Sequence, residues 1–218
     1  MVTSNPNQND LNLDGQKAAG DVTKAWTQLL GARGAEVHAY DIATSVDNSI
    51  YIVGETNRDL HGISNNGNVD GFLSKYGPDG NREWTTLFGD WRLEEAYAVT
   101  TSSDGSIYIS GYAERVGNNR AFLSKYNEQG ENQWTSYYQS DFGRLGSPMR
   151  DNDLSGYALT TDKDGSVYTT SVVVKDTGGD VAGIYAFNAY KGSSRSLRKH
   201  KFLPAQGLEG INIGGLKA

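Results

Sequence analysis

The 218-residue chain contains no cysteine, two methionines and four prolines. Without thiols it can form no disulfide, thiolate metal site or cysteine nucleophile, and cysteine pairing says nothing of its redox compartment. Long apolar runs are missing too. None approaches the ~20 residues of a membrane-spanning helix, so no membrane insertion is expected, and the opening MVTSNPNQND lacks the basic and apolar regions of a signal peptide. Hydrolase and nucleotide signatures are also lacking: there is no G-x-S-x-G elbow and no G-x-x-x-x-G-K-[ST] phosphate loop. The three histidines, His38, His61 and His200, stand far apart without metal-ligand spacing. The chain is expected to be non-enzymatic and to use no cofactor. Its net charge of −6 argues against general nucleic-acid binding.

What the chain has in quantity is 27 glycines and 13 tyrosines, a composition of strands and turns rather than helices. An all-β fold follows. The length suits one domain and is ample for a core without staples.

The dominant feature is a repeat. SVDNSIYIVG at 45–54 returns as SSDGSIYISG at 102–111 and DKDGSVYTTS at 162–171. Each copy sets Asp47-Asn48, Asp104-Gly105 or Asp164-Gly165 ahead of an apolar run, a signal for a hairpin with a type I′ turn, in which both central residues need positive φ. Flanking segments repeat as well: AWTQLLG (25–31) with EWTTLFG (83–89) and QWTSYYQ (133–139), AYDIATS (39–45) with AYAVTTS (96–102) and GYALTTD (156–162), and GFLSKYGPDGN (71–81) with AFLSKYNEQGE (121–131). GIYAFNAYKG (183–192) is a degenerate third copy of the last. The interval holds four short strands, the content of a propeller blade of roughly 40 to 50 residues plus a variable loop. The pattern predicts strands over 39–45, 49–55, 70–76 and 82–88, over 96–101, 106–112, 120–126 and 132–138, and again from 156.

LDGQ (13–16), WTQLLG, DGSIYISGY and DGFLSKYGPDGN, in that order, resemble the SBBP family, bacterial β-propeller repeats common in large surface and secreted proteins, particularly of cyanobacteria. The resemblance covers about residues 11–190. It implies a propeller-type fold and no catalytic residues. Two departures stand out: the strand expected between LDGQ and Trp26 is missing, and 191–218 has no counterpart.

The domain plan is an N-terminal arm (1–20), a β-propeller-repeat domain (21–203, with units near 39–89, 96–139 and 156–203) and a C-terminal arm (204–218). Three blades and an extra N-terminal strand fall short of the four to eight of a typical closed ring. Open flanks are aggregation hazards that need covering. The strand around Trp26, Leu29 and Leu30 is therefore expected to complete the third blade, of its own chain or of a neighbour. Leu208, Ile211, Ile213 and Leu216, spaced by glycines, suit an arm docking on another subunit's strand edge. The segment 191–201 carries Lys191, Arg195, Arg198, Lys199 and Lys201 and no acid; with 15 basic and 26 acidic residues elsewhere, the rest of the chain stands at −11. It is read as a patch that pairs with acidic neighbouring copies.

Candidate site residues are carboxylates and one tryptophan. Asp41, Asp70, Glu94, Glu95 and Asp180 could line a propeller mouth, as paired acids do in glycosidases. Asp41 is replaced by Ala98 and Ala158 in the other units, and a solvated strand residue is the plainer reading. Asp162-Lys163-Asp164-Gly165 opens like a calcium loop but lacks the later ligands, and reads as a turn. Trp91 falls in a loop between blades, a place for an anchor in an interface or carbohydrate site. The sequence thus points to a structural or adhesive subunit of a larger assembly, a virion or tail component or a bacterial surface component, whose partners are its own copies or other proteins. The alternative is carbohydrate binding or cleavage, with a surface glycan as partner.

Overall fold

The structure is a computed structural model that describes residues 25–114, 120–138, 154–173 and 181–188. All of its regular elements are strands. They are β1 (Val37–Thr44), β2 (Ile50–Thr56), β3 (Asp70–Tyr76), β4 (Arg82–Phe88), β5 (Glu94–Thr101), β6 (Ile107–Ala113), β7 (Arg120–Tyr126), β8 (Asn132–Tyr138), β9 (Leu154–Thr161), β10 (Ser166–Val173) and β11 (Val181–Asn188). They form two four-stranded antiparallel meanders, β1-β2-β3-β4 and β5-β6-β7-β8, and a three-stranded one, β9-β10-β11. Each is a propeller-like blade, and β1, β5 and β9 lie side by side as the innermost strands. Among the described residues no helix is long and apolar enough to cross a membrane.

The turns differ from expectation in type. Only Asn48, Gly105 and Gly165 have positive φ (64°, 81° and 81°), and the aspartate before each does not. Asn48 N–H donates to Ser45 O and Ser45 N–H to Ser49 O, a pattern kept at Gly105 and Gly165. This is a type I turn followed by one left-handed residue, which needs one permissive position rather than two. The aspartate's own task is to accept the N–H two residues on, as Asp47 does from Ser49 at 3.0 Å.

The repeated motifs occupy one row across each blade. Tyr51 pairs in register with Lys75, and Lys75 with Trp84; Tyr108, Lys125 and Trp134 repeat the row. The ammonium lies over the tyrosine ring, 6.0 Å from its centroid in the first blade and 5.6 Å in the second, a cation–π contact beside a ring pair at 6.1 and 6.2 Å. On the alternate face, Ser74 and Thr85 share a hydrogen bond of 2.8 Å, as do Ser124 and Thr135.

Blades join through the same motifs. Thr101 Oγ1 donates to Thr44 O at 2.7 Å, and Thr161 Oγ1 to Thr101 O at 2.9 Å, a ladder of threonines between inner strands. Trp84 crosses to the second blade, donating Nε1–H to Glu128 O at 3.1 Å with its ring against Gly130. The core lies between these two blades: Tyr51, Val53, Leu73, Val99, Ile109 and Phe122 are buried together, with Phe88 packed against them.

Trp26 sits against Gly80 as Trp84 sits against Gly130. Residues 25–31 therefore occupy the place of an outer strand preceding the first blade. They pair with no strand among the described residues, and Trp26 and Leu29 are exposed. The basic patch at 191–201 and the arm at 204–218 lie outside the described residues, as do residues 1–20.

Candidate functional site

The candidate carboxylates divide between two places, because adjacent residues of a strand face opposite ways. Glu94 and Glu95 open β5 and part there. Asp41, read as a solvated residue, instead ties the first two blades: Oδ2 accepts Val99 N–H at 2.8 Å and Oδ1 accepts Ile42 N–H at 2.9 Å. Asp180 lies outside the described residues.

The first place is where the inner strands meet. Each inner strand carries a β-bulge at its tyrosine, between Ala39 and Asp41, between Ala96 and Ala98, and opposite Thr170 and Ser171. A bulge re-aims the extra residue. Tyr40 and Tyr97 meet edge to face, and Tyr97 and Tyr157 stack, each pair with centroids 5.3 Å apart. In the first two blades the paired strand has room only for glycine at the bulge: a Cβ on Gly54 would strike His38 O, and one on Gly111 would strike Glu95 O.

Beside these rings the Glu55 carboxylate binds His38 Nδ1 at 2.8 Å, and the Tyr97 hydroxyl donates to Glu95. Glu55 Oε2 is buried without a protein donor in range, and the Glu55 and Glu95 carboxyls act on each other's protonation. Burial, with the hydrogen bond to Glu55, pushes Glu95 up to about 7. Burial also acts to raise Glu55, but hydrogen bonds from Glu95, His38 and Tyr40 outweigh it and hold Glu55 below the ordinary carboxylate range.

The second place is a cleft of about 400 Å³ between β4 and the outer half of the second blade. Phe88, Asp90, Glu94, Asn132, Thr135 and Tyr137 line it, with Phe122 and Tyr126 behind. Phe88 belongs to the first blade and is held against the second by Phe122 at 5.8 Å and Tyr126 at 6.2 Å between centroids. Asn132 Nδ2 donates to Thr135 Oγ1 at 3.1 Å. At the inner end Asp70 Oδ1 and Glu94 Oε2 both approach Gly89. Asp70 is fully buried, its Oδ2 accepting Asn66 N–H at 2.8 Å, and burial raises it above the usual range. Trp91 follows Asp90 on the rim; it is 70% exposed, with the Arg92 guanidinium 4.1 Å from its ring centroid.

The first blade closes the corresponding spot. His61 Nδ1 bonds Thr85 Oγ1 at 2.9 Å, covering the Ser74–Thr85 pair; the equivalent Thr135 borders the open cleft. Sequence reasoning missed Phe88, Asn132 and Tyr137. The available signal was the substitution of Tyr137 for Leu87 and Leu29 at one repeat position. Among the described residues no group of three His, Asp or Glu is placed to hold a metal, and Asp162 accepts the N–H groups of Asp164 and Ser166 as a turn residue does.

Residues 25–61 match the beta-propeller repeat SBBP. No curated protein matches the sequence. Among solved structures, a fucose lectin from Kordia zhangzhouensis in complex with methyl-fucoside is similar, with 12% identity, 72% of this chain and 94% of the lectin chain covered, and a TM-score of 0.37.

Proposed function

We propose that the chain is a non-catalytic binding module that takes a saccharide ring in the cleft between its first two blades. The carrying observation is the lining of that cleft. Half-exposed aromatic faces at Phe88 and Tyr137 offer a platform for the C–H face of a pyranose, while Asp90, Glu94, Asn132 and Thr135 supply acceptors and donors for its hydroxyls. Apolar walls with a few placed polar groups, in a volume of a few hundred Å³, are the makeup of a small-ligand site. The virion placement expected from the terminal arms finds no support in the fold or the comparisons.

Isothermal titration against neutral methyl glycosides tests this reading. Tyr137→Ala should weaken binding about tenfold, equivalent to ~1.4 kcal/mol; an unchanged affinity in that variant would overturn it.

A second reading concerns assembly. Trp26 packs against Gly80 of the first blade, Leu29 beside it is 92% exposed, and the segment with Leu30 pairs with no strand among the described residues. That supports the exchange of this strand with the third blade of another copy. Light scattering should then give a multiple of the 23.7 kDa chain mass, reduced by Leu29→Asp. A monomer that Leu29→Asp leaves unchanged would rule the exchange out.

A further inference from the structure

We propose that the cleft before the first blade, between Arg33 and the loop at 57–65, binds the anionic group of an acidic saccharide. The inference rests on reading the chain as a saccharide binder and assigns a second cleft to acidic sugars.

This cleft of about 530 Å³ is lined by Arg33, Asn57, Arg58, Asp59, His61 and Asn65. It lies before the first blade, outside the spot that His61 closes. Ala32 and Arg33 follow Trp26 at the offsets at which Asp90 and Trp91 follow Trp84. The opposite wall is an insertion: 13 residues join β2 to β3, whereas six join β6 to β7. The extra residues are ordered by their own bonds. Leu60 is fully buried, and Leu60 and Ile63 exchange two 3.0 Å backbone hydrogen bonds across His61 and Gly62, whose φ values are 54° and 82°. Asn65 Nδ2 donates to Thr56 O, and Asn65 N–H to Asp59 Oδ1, each at 3.0 Å. A wall fixed in advance loses little freedom when a ligand arrives.

The charge of this cleft runs against the rest of the protein. Arg33 and Arg58 are exposed, and neither forms an ion pair among the described residues. Asp59, the acid in the lining, accepts Asn65 N–H at its Oδ1, and the lining sets two arginines against this one carboxylate. Arg82 lies near enough that, after burial, its charge further lowers His61. Two guanidiniums line this one cleft, and a planar carboxylate or a sulfate between them would accept bidentate hydrogen bonds. In a chain of net charge −6, such a locally basic cleft selects for a ligand anion at the spot rather than for polyanions in general.

The test is titration of the full chain at low salt with methyl glucuronide, methyl glucoside and inorganic sulfate, on wild type and on Arg33→Ala/Arg58→Ala, with amide shifts of Asn57 and Asn65 followed by NMR. The glucuronide should bind at least tenfold more tightly than the glucoside and shift both asparagines, and the double variant should erase the difference. Equal affinity for the two glycosides, a preference that survives the double variant, or sulfate binding as tightly as the glucuronide would each overturn the proposal. Neutral glycoside binding lost with Tyr137→Ala reports on the other cleft, so the two claims can fail separately.

Discussion

Glu95 is the residue whose surroundings most change its chemistry. Its carboxyl keeps a proton up to about pH 7 because it is half-buried against Glu55, while in the unfolded chain it ionises near 4.5. Between those values the folded chain binds more protons than the unfolded chain, so stability falls as pH rises through that window. His38 acts with the same sign. Its hydrogen bond to Glu55 raises it above 6.5, so its contribution is complete below 6.5 and is lost as pH climbs through the folded value. Glu55, held low, contributes above 4.5 and loses that contribution on acidification. The melting temperature should therefore drop by a few degrees between pH 5 and pH 8. Glu95→Gln, which removes the titrating group, should flatten that drop; a slope of the same size in the variant would contradict the raised Glu95. Asp41 makes a simpler prediction. Asp41→Ala leaves the N–H of buried Val99 without its acceptor and should cost about 1–3 kcal/mol in urea unfolding, against little change for a solvated residue.

Elements were the most legible level. The eight strands to which the repeat pattern gave bounds all fall within two residues of them, because each motif has a fixed structural post: tyrosine, lysine and tryptophan in one row, serine and threonine on the other face, aspartate at the turn. The bulges were not legible. Nothing in AYDIATS or AYAVTTS says that the tyrosine goes unpaired; the reason lies on the next strand, where Gly54 and Gly111 leave room for the displaced carbonyl. Gly111→Val would drive a side chain into the Glu95 backbone and should destabilise by about 3 kcal/mol or more, read as a lower denaturation midpoint. A cost below about 1 kcal/mol would show that the bulge tolerates a side chain. The turn type was misjudged for a related reason. Asp-Gly permits a type I′ turn, but only the second residue needs the left-handed region once the loop closes as a type I turn with a bulge.

At the scale of the whole molecule, the candidate sites lie between repeats rather than within them. Phe88 comes from one blade and Tyr137 from the next; Glu55 and Glu95 meet across the same boundary. A sequence read unit by unit aligns such residues with their repeat equivalents, not with their neighbours in space, which is why Glu95 was named only among scattered acids and Tyr137 not at all. The repeat supplies the frame, and the departures from it supply the chemistry: the 57–69 insertion, Tyr137 in place of leucine, and Asn132 in place of Arg82. The most direct test of this account is an amide chemical-shift titration of the full chain with neutral methyl glycosides. The account predicts saturable shifts concentrated at Phe88–Asp90 and Asn132–Tyr137, lost in Tyr137→Ala; saturable shifts confined to other parts of the chain, or none with any sugar of the series, would contradict it.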